Sequence, residues 1–287
     1  MAQPEPEKQS HSWALVQELL DRGDPAFVDE LRRCREAERL GAFATSWFND
    51  RRPAARRLLL EYLDKPLNAP RHEPLIKRLF KLSEAAGDDE VMGRFLVLFD
   101  RCIRRVERAT QTYDRAKQQY VQGKMAAIPN TRIPRADDDF FERLDEEQLK
   151  QYEKLFLFSP GTRGYLRRRA WRYFRKLGKK DPQRYFQAIK QILPLYRDAD
   201  CPDGLALLDN WGLVHILFHF SPALVSRPTG WVLAENHSLS QIAAAPMFPE
   251  VWKQSSAPLL ELLDTAQARP VRQWAIQLLR QDFPQAL

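Results

Sequence analysis

The sequence predicts an all-α protein, and three observations support this class. Glycines number only 11 in 287 residues, while Leu, Ala, Arg, Gln and Glu are abundant, a composition that favours helix over strand. Apolar residues recur with helical spacing along most of the chain. One helical pattern, apolar-Arg-x-x-Ala-apolar-x-apolar-apolar-Arg, occurs at both 166–175 and 271–280. This internal repetition indicates stacked helices.

The N-terminal part of the chain contains a series of predicted helices separated by short breaks. Residues 1–11 are polar and are predicted to be disordered. Helical patterning begins near Ser12, and a second helix begins at Asp24-Pro25, because Asp favours the N-cap and Pro the first turn. Short breaks are typical of antiparallel helix pairs, so we expect a helical N-terminal half over 12–121.

A loop is predicted between two helical halves. Residues 122–139 contain two prolines, one glycine and a run of three aspartates, which predicts a long surface loop. Helical patterning then resumes and defines a C-terminal half over 140–287. Within it, the apolar segment 203–220 predicts a central helix, and only 231–233 has a faint strand pattern.

The second copy of the repeated pattern resembles the second helix of HEAT-type repeats, which often reads Pro-x-Val-Arg-x-x-Ala-apolar-x-x-Leu. The match is RPVRQWAIQLL at 269–279, while 166–171 lacks the proline and 52–56 has its arginine shifted by one place. No fixed period of about 40 residues recurs. The resemblance therefore implies an irregular HEAT-like α-solenoid, a superhelix of stacked helical hairpins. Such proteins are mostly scaffolds, and a minority bind DNA through a basic concave face.

Composition excludes several functional classes. The net charge of +7 and the pI of about 9.4 permit an acidic partner without requiring one. Three isolated cysteines without a CxxC pair are typical of a reducing compartment, so we expect a cytoplasmic protein. No run of 18 apolar residues, phosphate-binding loop or dinucleotide-binding motif occurs. The sequence therefore predicts no membrane association and no cofactor.

The most basic segment is a predicted helix at 163–180, which contains nine cations and no acid. Apolar residues mark one side of it, and cations dominate the other. An anionic partner would contact the cations, with Tyr165 and Trp171 as candidates for stacking on bases, although aromatic residues at such spacing are more often part of a core. Alternatively, the arginines pair with acids of the same chain, such as the run at 137–139. The nine candidate binding residues are Arg163, Arg167, Arg168, Arg169, Arg172, Arg175, Lys176, Lys179 and Lys180.

A second pattern places two histidines, His215 and His219, four residues apart on one helical face. This spacing suits a metal, but zinc proteases with such a pair carry Glu after the first His, and Ile216 stands there instead. We therefore predict buried, hydrogen-bonded histidines and no metal site.

The leading functional prediction is a non-enzymatic scaffold or adaptor that binds a protein partner along a curved helical surface. The alternative is a nucleic-acid-binding protein that contacts phosphates through 163–180 and has little sequence specificity. No sequence motif supports an enzyme, and the sequence predicts no particular oligomeric state.

Overall fold

The computed structural model describes residues 12–134, 140, 143–152, 154–227 and 229–286. They fall into two compact units, the first drawn from Met1–Ala86 with Ile133–Leu157 and the second from Gly87–Arg132 with Phe158–Leu287. This division differs from the predicted halves at 12–121 and 140–287. The predicted disordered segment 1–11 lies outside the described residues.

The first unit is built around an aromatic core. Trp47 packs edge-to-face against Phe27, at 5.0 Å between ring centroids, and against Tyr62, at 5.6 Å. His72 stacks on Tyr62, and its Nδ1 lies 2.7 Å from the Tyr62 hydroxyl. The helices that carry this core and the rest of the unit are Trp13–Arg22, Ala26–Arg33, Ala37–Asn49, Pro53–Asp64, Glu73–Ala86 and Glu146–Lys150.

The second unit packs helices around Trp211–Phe218, in which all eight residues are buried. The other helices are Asp89–Arg101, Pro160–Lys180, Pro182–Ile192, Gly204–Asp209, Pro249–Trp252, Ala257–Thr265 and Arg269–Asp282, and short 3-10 helices lie at Leu193–Leu195, Asp198–Asp200, Leu239–Gln241 and Pro284–Ala286. Two antiparallel hairpins complete the unit: Val106–Asp114 with Gln119–Ala127, and Leu224–Arg227 with Gly230–Leu233.

The prediction of a mostly helical chain is confirmed, since helices account for 61% of the structure. The two small sheets are a correction to the all-α class. A long surface loop was expected at 122–139. Its residues 122–127 instead belong to strand Gln119–Ala127, and its residues 135–139 lie outside the described residues. Both faces of this hairpin are largely exposed, so it lacks the alternation of apolar and polar residues that marks a half-buried strand.

The buried helix Trp211–Phe218 begins next to the carboxylate of Asp100. Asp100, which is fully buried, accepts hydrogen bonds from the backbone N–H groups of Gly212 and Leu213 and from the Tyr196 hydroxyl. It thus satisfies N–H groups that have no partner within their own helix. Burial raises the pKa of Asp100, and the neighbouring Arg167 guanidinium opposes that rise. Among the described residues, no helix combines the length and hydrophobicity needed to cross a bilayer.

We predict that Gly212→Ala destabilises the second unit by about 1–3 kcal/mol, the usual cost of overpacking a core. An added Cβ would lie 2.6 Å from the Leu96 Cδ1 and 3.1 Å from the Asp100 Oδ2. Gly161→Ala is the matched control, because no heavy atom lies within 4 Å of its added Cβ. Urea unfolding of both variants measures the free-energy change, and an equal effect at the two glycines would contradict this packing.

Candidate functional site

The basic helix, Pro160–Lys180, is 21 residues long and has clear end signals. The Ser159 hydroxyl accepts a hydrogen bond from the Thr162 backbone N–H, and Pro160 occupies the first turn, both favoured arrangements at a helix start. The next helix begins directly afterwards, where the Asp181 carboxylate accepts from the Arg184 N–H. The helix therefore ends at Lys180 and covers the whole predicted basic segment 163–180.

One side of the basic helix is buried in the second unit. The predicted apolar residues Leu166, Ala170, Phe174 and Leu177 are all buried there. Tyr173, predicted to share this side, is half-buried, and its hydroxyl donates to the Asp89 carboxylate. Packing of this apolar side fixes the rotation of the helix about its axis and so decides which cations reach solvent.

Two of the nine predicted binding cations are buried, which corrects their placement at the surface. Arg163 and Arg167 are each 1% exposed. Arg163 donates to the Cys102 carbonyl at 2.6 Å, and Arg167 donates to the Asp209 carbonyl at 2.7 Å. Burial lowers the pKa of both guanidinium groups, that of Arg167 to about 10. These two arginines hold the helix in place and are inaccessible to a partner.

Asp209 connects Arg167 to a third buried arginine, Arg105. The Arg105 side chain is 3% exposed, and its Nε and backbone N–H both donate to the Asp209 carboxylate. Its Nη2 also donates to the Trp231 carbonyl at 2.8 Å. Arg167 donates to the Asp209 carbonyl, so Asp209 accepts hydrogen bonds from two buried arginines. A buried charge is tolerated when it is paired and hydrogen-bonded in this way.

Trp171 is also buried, at 3% exposure, so its predicted role in stacking on bases is wrong. Its ring stacks instead on His215, with 4.8 Å between centroids and 8° between planes. Trp211 and Trp231 pack edge-to-face against the same histidine at 4.9 and 4.7 Å. The tryptophans therefore form an aromatic box around His215.

The two histidines bind each other. The Nδ1 atoms of His215 and His219 lie 2.8 Å apart, a hydrogen-bond distance at which one ring donates to the other. Burial lowers the pKa of His215 to about 2 and also lowers that of His219. Within the described part of the chain, no group of three or more His, Cys, Asp or Glu residues could hold a metal ion.

Five of the remaining cations form the exposed face of the basic helix: Arg172, Arg175, Lys176, Lys179 and Lys180. We call this set the cationic face. Among the described residues, none of the five has an ion pair or a hydrogen bond through its side chain. Arg168 and Arg169 are half-buried and have partners. Tyr165 is 47% exposed, and at about 100° per residue it points in a direction between Arg172 and Lys176.

Fold and site together define a mostly helical protein that displays a row of exposed cations on a firmly anchored helix. No protein-family model matches the chain, and neither the curated protein sequences nor the solved structures include a significant match. The resemblance to HEAT repeats therefore stays a prediction, and function must be argued from the site itself.

We predict that buried His215 makes the second unit less stable as the pH falls below about 6.5, the ordinary histidine pKa. Its folded-state pKa is depressed, so the unfolded chain takes up the proton and unfolding becomes easier in acid. The free energy of unfolding should fall by at most about 1.4 kcal/mol per pH unit for this group.

His215→Phe should reduce this pH dependence between about pH 6.5 and 4, measured by urea unfolding at several pH values. The exposed His237 provides the control variant His237→Phe, which should leave the dependence unchanged. His72 is buried in the first unit and has a pKa lowered to about 3. It makes the same contribution to the pH dependence of unfolding in both variants. Equal pH dependence in the His215 and His237 variants would contradict the prediction.

Proposed function

We propose that this protein binds nucleic acid through the cationic face, mainly by contacts to phosphates. The observation that carries the proposal is that five exposed cations on one helix lack an ion pair or hydrogen bond within the described residues. Arg163 and Arg167 are buried and bonded to carbonyls, so they take no part in the proposed binding. The alternative in which the arginines pair with acids of the same chain, such as the run at 137–139, falls on residues outside the described part of the chain.

The arrangement of charge supports a polymer with many anionic groups. Arg172, Lys176 and Lys180 follow one another at i, i+4 spacing, as do Arg175 and Lys179, so each cation lies near another of the same sign and weakens the isolated helix. Lys179 and Lys180 gain some compensation, because they lie in the last turn, near the negative end of the helix dipole. A row of phosphates would relieve the repulsion along the whole face.

The dimensions of the cationic face also suit a phosphate backbone. Residues 172–180 span about 12 Å at 1.5 Å per residue, while successive base pairs of a duplex rise by about 3.4 Å per strand. The face is therefore long enough to contact more than one phosphate of a strand. Contacts of this kind position a protein and carry little sequence information. Tyr165 extends the face toward the helix start and can stack on an unpaired base, which favours single-stranded nucleic acid over duplex.

A second candidate function is the scaffold role, in which a HEAT-like solenoid binds a protein partner. A groove of about 450 Å³ in the second unit supports it, since apolar side chains dominate its lining: Leu207, Phe218, Leu239, Ile242, Trp274 and Ile276. Binding in an apolar groove has little salt dependence, unlike phosphate binding. Under either function a cytoplasmic location is part of the proposal, and it rests on three cysteines that form no disulfide.

We predict that R172E/R175E/K179E weakens binding to a labelled single-stranded oligonucleotide by at least about tenfold, because three phosphate contacts become repulsive. The slope of log K against log salt should become shallower by about 2–3, at roughly 0.7–0.9 per contact. Fluorescence anisotropy from about 50 to 200 mM salt measures both quantities, with duplex DNA in parallel to compare the two forms.

The matched control is R51E/K154E/R280E, which reverses three exposed cations outside the basic helix. Each reversal changes the charge by −2, so both triple variants carry +7 − 6 = +1. The control should retain most of the affinity. An equal loss in the two variants would show that net charge alone drives binding, and unaltered binding in the first variant would overturn the proposal.

A further inference from the structure

The longer hairpin displays an unusual amount of apolar surface. Its strands, Val106–Asp114 and Gln119–Ala127, pair over nine residues each. Of the eleven large apolar side chains that are exposed in the described residues, five belong to this hairpin: Val106, Tyr113, Tyr120, Val121 and Met125. An isolated two-stranded hairpin is only marginally stable in water, and it gains stability from further strands or from packing against a helix. A further strand would cover part of this exposed apolar surface.

The two strands differ in how well their open edges are protected. Each has one neighbour in its sheet, so each has one open edge. Val106–Asp114 contains three charged residues, Glu107, Arg108 and Asp114, whereas Gln119–Ala127 contains one, Lys124, and no proline. Charged residues and proline are the usual protection of an edge against pairing with another chain. The edge of Gln119–Ala127 is therefore the one open to a new strand.

We propose that Gln119–Ala127 pairs antiparallel with the same strand of a second copy, about a two-fold axis at Gly123. The product is a four-stranded sheet shared by two chains, with identical contacts on both sides of the axis. In this register Gly123 faces its own symmetry mate, and its missing side chain leaves the axis free of a clash. The assignment is independent of nucleic-acid binding.

Self-complementarity of the strand supports this occupant and this register. Val121 lies opposite Met125 of the second copy, and the two-fold axis repeats this contact, so both apolar side chains of each copy are covered. Val121, Gly123 and Met125 share one face of the strand, since side chains alternate along it. No like charges are opposed, because Lys124 pairs with Gln122. A shift of one residue would move these side chains to opposite faces.

Sedimentation velocity of the wild-type chain is the first test, from about 1 to 100 μM protein, a range that covers dissociation constants of weak to moderate dimers. We expect a reversible monomer–dimer equilibrium. A single monomeric species over the whole range, or a species larger than a dimer, would overturn the proposal.

Two matched variants then test the register. V121E/M125E opposes like charges across the axis, whereas V121K/M125E opposes unlike charges in both contacts. Both variants remove the same two apolar side chains. Position 125 pairs with Arg108 within the hairpin, and both variants place a glutamate there, so this contact is the same in the two. We expect V121K/M125E to dimerise at least tenfold more tightly than V121E/M125E. Equal association of the two variants would overturn the register.

Disulfide trapping distinguishes the two edges. Residues that face each other in antiparallel strands have Cα atoms about 4.5–5.5 Å apart, within the range that a disulfide spans. Mild oxidation should therefore convert Gly123→Cys into a covalent dimer. Thr110→Cys, at the partner position on the other strand, should stay monomeric under the same conditions. Trapping of the Thr110 variant instead would place the interface on the charged edge and contradict the proposal.

Discussion

The second unit depends on the need to satisfy three buried arginines. Arg105, Arg163 and Arg167 would each be strongly destabilising if buried without acceptors. Their acceptors are the Asp209 carboxylate and backbone carbonyls, including those of Cys102 and Asp209, at helix ends. Carbonyls there have no partner within their own helix and lie at the negative end of its dipole. The arginines therefore satisfy the ends of two helices while they secure a third.

This constraint gives the basic helix two distinct sets of cations. The inward set, Arg163 and Arg167, fixes the position of the helix. Moving the helix would leave their guanidinium groups and the carbonyls that they bind without hydrogen-bond partners. The set that faces outward is the cationic face, which has no ion pair or side-chain hydrogen bond within the described residues. Because the backbone of the basic helix is already anchored, binding orders only the side chains of the cationic face, and this limits the conformational freedom lost on recognising a phosphate backbone. If the strand-edge dimer forms, each assembly carries two such faces, which adds avidity to weak individual contacts.

Much of the local structure follows from the sequence. Ser159-Pro160 and Asp181-Pro182 begin helices as expected from capping and proline preferences, and most of the apolar stripe of the basic helix is buried as its periodicity predicts. Trp231–Leu233, the one faint strand pattern, lies within strand Gly230–Leu233. These features depend on neighbours close in sequence, so a local pattern reveals them.

The features that the sequence did not reveal depend on distant partners. Arg163 and Arg167 are among the nine predicted binding cations because their sequence neighbours do not reveal their acceptors, which lie 61 and 42 residues away along the chain. Trp171 was open to either role, and its burial depends on the distant His215. The long hairpin was missed because neither face is buried, so the sequence lacks alternation. Asp209, in the middle of an apolar segment, was the one visible sign of a buried polar partner.

The most direct test of this account is arginine modification by phenylglyoxal, followed by peptide mass spectrometry with and without a single-stranded oligonucleotide. Arg172 and Arg175 should react quickly in the free protein and be protected by the oligonucleotide. Arg163 and Arg167 should stay unmodified in both samples while the protein is folded. Rapid modification of the buried pair, or an absence of protection at Arg172 and Arg175, would contradict the division of the helix into an anchoring side and a binding side.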